Sequence, residues 1–335
     1  MIRQVRVVFM TASLCLLFIA MAQTSCVMAA EEIVYRLKWL YNTSVAGDLY
    51  ALDKGYFKRE GLTVSVKAGS PERDAIREIE LGQAQFGVAS GDQVILAREK
   101  GAPVIVVAQI FQKNPLQWIY REAAFPLKTL GDLKGKTIGV TYGGNDEAIM
   151  RALLKAGGIH EKEVKLYSVR YDYTPFYQNR VPIWPVYLNS QGVILSGKLA
   201  ENKEKTAFFD PTRYGVRFVA NAVITSEKML KQHPETVRIF VKALLEAWNS
   251  ALDPLNEADT LLVLKKFDRD TPAHIRKEQL ALTRPLVLPD NGAPLGTIDY
   301  QAWQETETIM LEQKLINGPV QVTAALCPNG SYGKK

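Results

Sequence analysis

Strand-like and helix-like segments alternate along the chain beyond its N-terminal thirty residues, and this pattern constrains the fold most. Residues 33–39 alternate apolar and polar side chains, as a half-buried strand does. Helix-like segments end at Gly55, Gly82 and Gly101, and glycine is favoured just after the end of a helix. The apolar run at residues 104–110 suits a buried strand. Because strands and helices alternate in this way, the sequence predicts an α/β fold.

The remaining segments extend the same pattern. Residues 122–128 have the composition of a loop that separates two series of strands and helices, and the chain after residue 225 is mostly helix-like. A proline at position 234 suits the first turn of a helix. We predict further strands at residues 62–66, 85–89, 137–140, 164–169 and 216–224, and helices at residues 44–54, 74–81, 92–100, 146–156, 175–179 and 234–251.

The N-terminal segment, residues 1–30, has the three parts of a secretory signal peptide. Arg3 and Arg6 precede an apolar run over residues 7–22, and small residues at 27–30 offer a cleavage site. A membrane anchor is the alternative, but the apolar run is short for a full span of about 20 residues. We therefore expect export to the periplasm with cleavage near residue 30.

The cysteines agree with this expectation. Cys15 and Cys26 lie within the predicted signal peptide, which leaves Cys327 in the processed chain. A chain with one thiol forms no internal disulfide. Cys26 could also be the lipidated first residue of a lipoprotein, and Ser25 before it fits that pattern. Gln23 stands where leucine is usual, so the lipoprotein is the less favoured interpretation.

Charge and length exclude some classes of protein. The chain has 41 Lys and Arg and 35 Asp and Glu, and these are spread along the sequence without a run of five like charges. This mixed surface argues against a nucleic-acid partner. The length of 335 residues suggests two domains.

Several motifs resemble one known family. They are LKWLYN at residues 37–42, KGYFKREGL at 54–62, GQAQFGV at 82–88, DLKGKTIGV at 132–140 and YGV at 214–216. This set is similar to that of the SsuA/THI5-like substrate-binding proteins of ABC importers for thiamine-pyrimidine precursors, sulfonates, taurine and nitrate. The branch it resembles most is that of formylaminopyrimidine-binding proteins, and the resemblance covers about residues 33–320.

The resemblance implies a two-lobed type II periplasmic-binding-protein fold in which each lobe is a mixed sheet flanked by helices. Lobe one would combine residues 31–123 with 219–335, lobe two would be residues 124–218, and the ligand cleft would lie between the lobes. The implied partners are a small-molecule ligand and the ABC transporter permease of the inner membrane, and we expect a monomer that needs no cofactor. One departure concerns the ligand: Pro182 and Gln191 stand where the family usually has Asp and Glu.

Loops that follow strands are the expected ligand contacts, because open α/β sheets bind ligands beyond the carboxyl ends of their strands. In the first such loop, Trp39 could stack on a planar ring and Asn42 could hydrogen bond to it. Their alternative roles are core packing and helix capping. In the second loop, Ser90 offers a hydroxyl at a helix start, with simple capping as the alternative.

A third and a fourth loop complete the predicted site. Two glycines in the third loop allow a ligand to approach the backbone closely at a helix start. The acidic residues of this loop disfavour a strongly anionic ligand. Their alternative role is to complement the helix dipole. The fourth loop has an aromatic pair around a proline, for which packing in lobe two is the alternative. The predicted ligand contacts in these two loops are Tyr142, Gly143, Gly144, Asn145, Glu147, Trp184 and Tyr187.

A site of aromatic and hydrogen-bonding groups, with no arginine among its leading members, suits a flat neutral heterocycle such as a pyrimidine better than a sulfonate or nitrate. Transport of sulfonate, taurine or nitrate remains the alternative within the family. A thiamine-pyrimidine-synthase-like enzyme shares the resemblance, but that enzyme type needs a cysteine-rich stretch. His160, His233 and His274 have no spacing typical of a metal site. We therefore predict a binding protein without a catalytic residue or a metal; whether it serves transport or ligand sensing stays open.

Overall fold

The computed structural model describes residues 32–70, 72–124, 126–170, 172–289 and 292–327. The predicted signal peptide at residues 1–30 and its Cys26 lie outside the described residues. The described residues from Ile33 onward cluster as one compact unit. In the described part of the chain, no helix has the length and apolar character needed to cross a membrane.

The strands form two main sheets and a separate pair within the described residues. The first sheet has the order β2-β1-β3-β10-β4, the second has the order β8-β5-β9, and β6 pairs with β7. The strands are β1 Ile33–Arg36, β2 Val64–Lys67, β3 Phe86–Ala89, β4 Val104–Gln109, β5 Leu116–Arg121, β6 Thr137–Val140, β7 Lys165–Ser168, β8 Trp184–Tyr187, β9 Thr206–Phe209 and β10 Ala222–Ser226.

Helices cover both main sheets, and the described elements are mixed α/β as predicted. Short 3₁₀ turns begin several of the connections, and one π-helical turn spans Leu188–Gly192. The helices are α1 Ala46–Asp53, α2 Tyr56–Arg59, α3 Ala75–Glu80, α4 Gly91–Glu99, α5 Asn145–Ala156, α6 Thr174–Tyr177, α7 Val193–Glu201, α8 Glu227–Gln232, α9 Pro234–Leu252, α10 Glu257–Phe267, α11 Ala273–Val287 and α12 Tyr300–Glu312.

The first sheet is mixed, and its core is aromatic. β1 runs parallel to β2 and β3, whereas β10 runs antiparallel to β3 and β4. Phe240 of α9 stacks on Phe86 with ring centroids 3.8 Å apart, and it meets Tyr35 edge-on. The apolar face of α9 thus closes this side of the sheet.

Close backbone packing holds α1 against α9. A Cβ atom built on Gly47 would lie 2.1 Å from ring atoms of Trp248, and the indole of Trp248 is fully buried. This position therefore requires glycine for contact between two helices rather than for an unusual backbone angle.

The second sheet contains the elements that the sequence pattern missed. β5 pairs antiparallel with both β8 and β9, and residues 137–140 join this region through a bridge from Ile138 to Ile183. We predicted no strand at β5 or β9 and no helix at α7. β8 was predicted to be a loop. Pro185 is tolerated in this strand, because β8 lies at the edge of the three-stranded sheet, where the missing N–H of proline costs no hydrogen bond.

One predicted strand begins too early, and the expected bounds of lobe one divide the second sheet. The predicted strand at residues 216–224 is wrong at its start, since β10 begins at Ala222; residues 216–221 instead pass over the start of α4, where Gly91 N donates to the Val219 carbonyl. The expected lobe one includes β5, which pairs with β8 and β9 of the second sheet; the bounds of the two lobes stay a prediction. Pairing between distant segments decides both points, and local pattern carries no information about it.

Candidate ligand-binding site

The carboxyl ends of β1 and β3 lie at the same edge of the first sheet, because these strands are parallel neighbours. The loop with Lys38 and Trp39 follows β1, and Ser90 and Asp92 follow β3. The sheet geometry therefore brings the first two predicted binding loops together, as expected from the strand order.

Tyr187, the last residue of β8, connects this edge with the second sheet. Its hydroxyl accepts a hydrogen bond of 3.1 Å from Lys38 Nζ and a longer one of 3.4 Å from Asn145 Nδ2 at the start of α5. Lys38 Nζ also lies 5.7 Å from the centroid of the Tyr187 ring. Predicted residues from the third and fourth loops thus meet a lysine of the first loop.

Asn42 and Ser90 have local hydrogen bonds. Asn42 Oδ1 accepts from Ser44 N and its Nδ2 donates to the Leu40 carbonyl, so this side chain caps the short turn that precedes α1. Ser90 is fully buried, and its hydroxyl donates to Gln93 Oε1 in a capping box at the start of α4. Both residues therefore have the capping role that was the alternative, and their ligand contacts stay a prediction.

The glycine loop before α5 is organised by Glu147. Gly143 has a positive φ of 79°, and its N–H donates to Glu147 Oε2. Glu147 also pairs with Arg151 at 2.8 Å. Gly144 is the residue that precedes α5, and the Tyr142 side chain is 53 % exposed. Tyr142 is the residue of this loop that offers accessible aromatic surface.

The two predicted tryptophans lie in different surroundings. Trp39 is partly buried, and its carbonyl accepts a hydrogen bond from Gly69 N. Trp184 is 1 % exposed and packs against Tyr173 and Phe176 with centroids about 6 Å apart. Its ring belongs to a hydrophobic cluster of the second sheet, so it offers no accessible surface to a ligand in this structure.

A family model described as NMT1/THI5 like matches residues 42–258. The chain belongs to the NMT1/THI5-like family. The structure of the periplasmic aliphatic sulphonate binding protein SsuA from Escherichia coli superposes with a TM-score of 0.70 at 15 % identity, covering 91 % of this chain and 94 % of that chain. This match confirms the predicted periplasmic-binding-protein fold.

Three curated relatives are more similar in sequence. Riboflavin-binding protein RibY of Chloroflexus aurantiacus is 28 % identical, covering 90 % of this chain and 88 % of that protein. The formylaminopyrimidine-binding protein of Halalkalibacterium halodurans is 26 % identical, with coverages of 87 % and 89 %. The 4-amino-5-hydroxymethyl-2-methylpyrimidine phosphate synthase THI11 of Saccharomyces cerevisiae is 22 % identical, with coverages of 84 % and 91 %.

The structure of this NMT1/THI5-like chain adds a buried polar network that the sequence pattern did not indicate. Gln279 of α11 accepts from Thr43 Oγ1 at 2.8 Å and donates to the Ser190 carbonyl. Asn189 Nδ2 donates to Thr283 Oγ1 at 2.9 Å. These bonds join α11 both to the loop before α1 and to the π-helical turn after β8. A π-helical turn often marks a functional site.

Gln191, where the family usually has a glutamate, lies in the same turn of this NMT1/THI5-like protein. Its side-chain Oε1 accepts a hydrogen bond of 3.2 Å from Tyr187 N. Gln191 is therefore next to the tyrosine that joins the two sheets. Its contact is local, and an effect of Gln191 on the class of ligand stays a prediction.

Two buried carboxyls of this NMT1/THI5-like site have pKa values above the usual value for aspartate. Burial raises the pKa of Asp146 to about 6, although the Thr141 N–H, which donates to this carboxyl, lowers it. Burial also raises the pKa of Asp92, and the nearby Lys38 charge opposes that rise. Neither residue was predicted to contact the ligand; the available signal was an acidic residue at the second position of a helix that follows a strand.

Proposed function

We propose that this chain is the extracytoplasmic solute-binding component of an ABC transporter, which captures a small planar heterocycle and delivers it to a membrane permease. The observation that carries the proposal is the meeting of Lys38, Tyr187 and Asn145, which come from three separate strand ends. Family membership and fold support it. Two of the similar relatives are named for binding riboflavin and formylaminopyrimidine, and both of these ligands are planar heterocycles.

Hinge closure is the proposed mechanism. We propose that each lobe contains one of the two main sheets. In this division β5 belongs to lobe two rather than to the expected lobe one. A ligand that contacts both lobes shifts the equilibrium toward the closed form, whereas a ligand bound equally well in both forms does not. Trp39 and Tyr142 would contact the ring from different lobes, and Tyr187 and Asn145 would supply hydrogen bonds.

A sulfonate ligand is the second candidate, because Lys38 supplies a cation and the SsuA structure is similar. The buried Asp92 carboxyl beside it disfavours an anion. A synthase activity is a weaker alternative, since it rests on the relative with the lowest identity of the three. The proposed location is the periplasm, as a monomer that is exported by the signal peptide at residues 1–30.

Thermal-shift measurements with riboflavin, 4-amino-5-hydroxymethyl-2-methylpyrimidine, taurine and ethanesulfonate test the proposal. A true ligand at a hundred times its dissociation constant adds about 2.7 kcal/mol of stability. Small-angle scattering should then show a smaller radius of gyration with that ligand. A protein that chemically converts the bound compound, or binds none of these compounds, contradicts the proposed function.

A further inference from the structure

One oxygen of the buried Asp92 carboxyl lacks a hydrogen-bond partner among the described residues, although Ser90 and the N–H groups of Asp92 and Gln93 interact with the carboxyl. The Asp92 side chain is 2 % exposed, and its Oδ1 atom accepts no hydrogen bond within the described ranges. Asp92 lies in the first turn of α4, where the helix dipole favours a negative charge. An unsatisfied buried oxygen is costly, and a bound ligand or water that donates to it removes that cost.

Lys38 is the nearby group of opposite charge. The strands before Lys38 and Asp92 are parallel neighbours, so both residues lie at the carboxyl edge of the first sheet. The two charges attract each other, yet no ion pair between them is found among the described residues. Lys38 instead donates to Tyr187, and Asp92 Oδ1 stays unsatisfied.

This separation distinguishes the pair from a structural salt bridge. A salt bridge at this depth would satisfy both groups by direct contact. Here a positive donor and a negative acceptor stand near one another at the predicted site without touching. A ligand that carries a hydrogen-bond donor beside an acceptor could contact both, whereas a sulfonate offers acceptors and a negative charge alone.

We propose that Asp92 and Lys38 recognise one edge of an uncharged heterocycle once opening of the cleft exposes the buried Asp92 carboxyl, with Asp92 accepting a ring or amino N–H and Lys38 donating to the adjacent carbonyl or ring nitrogen. The inference rests on the proposed function and deepens it, because it states which class of heterocycle the site selects. Aminopyrimidines and flavins have such an edge, in which an N–H lies next to an acceptor.

Calorimetric titration of the full chain tests the pair. The probes are riboflavin, 4-amino-5-hydroxymethyl-2-methylpyrimidine and ethanesulfonate, and the variants are Asp92→Asn and Lys38→Met. Asp53→Asn is the matched control, since Asp53 pairs with the exposed Lys266 and has no contact with the site loops in the described structure. Each site variant should weaken binding of a heterocycle about 10-fold, and the control should stay within about 2-fold of the wild type.

A change in the ligand gives a second test that needs no variant. The wild-type protein is titrated with N3-methylriboflavin and with the 4-dimethylamino derivative of the pyrimidine, in which the N–H is replaced. Affinity for the methylated form of the bound probe should fall about 10- to 100-fold.

The outcomes separate the two proposals. If a heterocycle binds but Asp92→Asn, Lys38→Met and the methylated probe all retain affinity within about 2-fold, the recognition pair is wrong and the solute-binding function stands. If ethanesulfonate binds and the heterocycles do not, the pair is again wrong while solute binding remains. If no probe binds, the proposed function fails, and the inference that rests on it fails too.

Discussion

Asn189, in the π-helical turn after β8, donates a hydrogen bond of 2.9 Å to the hydroxyl of Thr283 on α11. Thr283 in turn donates to the Gln279 carbonyl at 2.8 Å, and all three side chains are buried. This contact joins the strand end that carries Tyr187 to a helix that also contacts the loop before α1. Ligand-driven closure of the two lobes would depend on such a junction.

Thr283→Val should lower both the stability of the protein and its affinity for the ligand. The substitution keeps the side-chain shape but leaves Asn189 Nδ2 without its acceptor, which costs about 1–3 kcal/mol. We expect lower stability in urea denaturation and weaker binding of a heterocycle in calorimetry. Thr260→Val is the control, since Thr260 is buried and bonds to the Ala251 carbonyl away from the junction. Equal losses of affinity in both variants would contradict a special role for the junction.

Trp39→Ala should weaken ligand binding by about 1–3 kcal/mol if the indole stacks on the ligand. The measurement is calorimetric affinity, with circular dichroism to check folding. Trp184→Phe is the companion variant, because Trp184 is enclosed by the cluster of the second sheet. It should lower the melting temperature and leave affinity unchanged. Unchanged affinity of a folded Trp39→Ala protein would remove Trp39 from the site.

The stability of the protein should depend on pH through Asp48. Burial raises the pKa of Asp48 from 3.8 to about 7, although the Tyr35 hydroxyl donates to it at 2.6 Å and lowers it. The Trp248 indole N–H also lowers this pKa but lies outside hydrogen-bonding geometry. Because the folded pKa exceeds the unfolded one, the stability from this carboxyl is complete below about pH 4 and is lost as the pH rises through about 7.

Tyr35→Phe tests that dependence. The hydroxyl favours the charged form of Asp48, so its loss should raise the Asp48 pKa further and cost more stability at pH 8 than at pH 5. At pH 8 we expect Tyr35→Phe to lower the free energy of unfolding by about 1–3 kcal/mol relative to the wild type. Urea denaturation at pH 5 and at pH 8 measures the two losses. An equal loss at both values would show that Asp48 has the same protonation state at pH 5 and pH 8, which contradicts the predicted titration.

Gly47→Ala should destabilise the first sheet by about 1–3 kcal/mol or more, because the new methyl would overlap the ring of Trp248. Gly131→Ala is the control. A Cβ atom there would lie 3.6 Å from its nearest neighbour, Thr129 Oγ1, so its denaturation midpoint should change little. A stable Gly47→Ala protein would mean that α1 and α9 can separate at little cost.

Much of the first sheet was predictable, because the sequence signals for its strands and helices depend on neighbouring residues. Strand alternation at residues 33–39, the apolar run at 104–110 and the glycines at helix ends each act within a few neighbours. The corresponding β1, β4 and helices α1, α3 and α4 are all present. Helix capping by Asn42 and Ser90, the alternative to a ligand contact, was also predictable, because a capping role depends only on position at a helix start.

The second sheet and the site chemistry were less predictable. Trp184 was expected to line the ligand site, yet the pairing of β8 with β5 places it in a core. The sequence pattern predicted that the binding loops share one site, but it did not predict that Lys38 contacts Tyr187, which is 149 positions away.

Sequence alone determined the α/β class, the order of most elements of the first sheet, and the family resemblance, because periodicity and helix-end signals depend on neighbouring residues. Tertiary structure alone decided which strand ends meet, which aromatic rings are enclosed, and which buried polar atoms lack partners. Those properties arise from contacts between segments far apart in the chain, where pairing and desolvation outweigh any local preference.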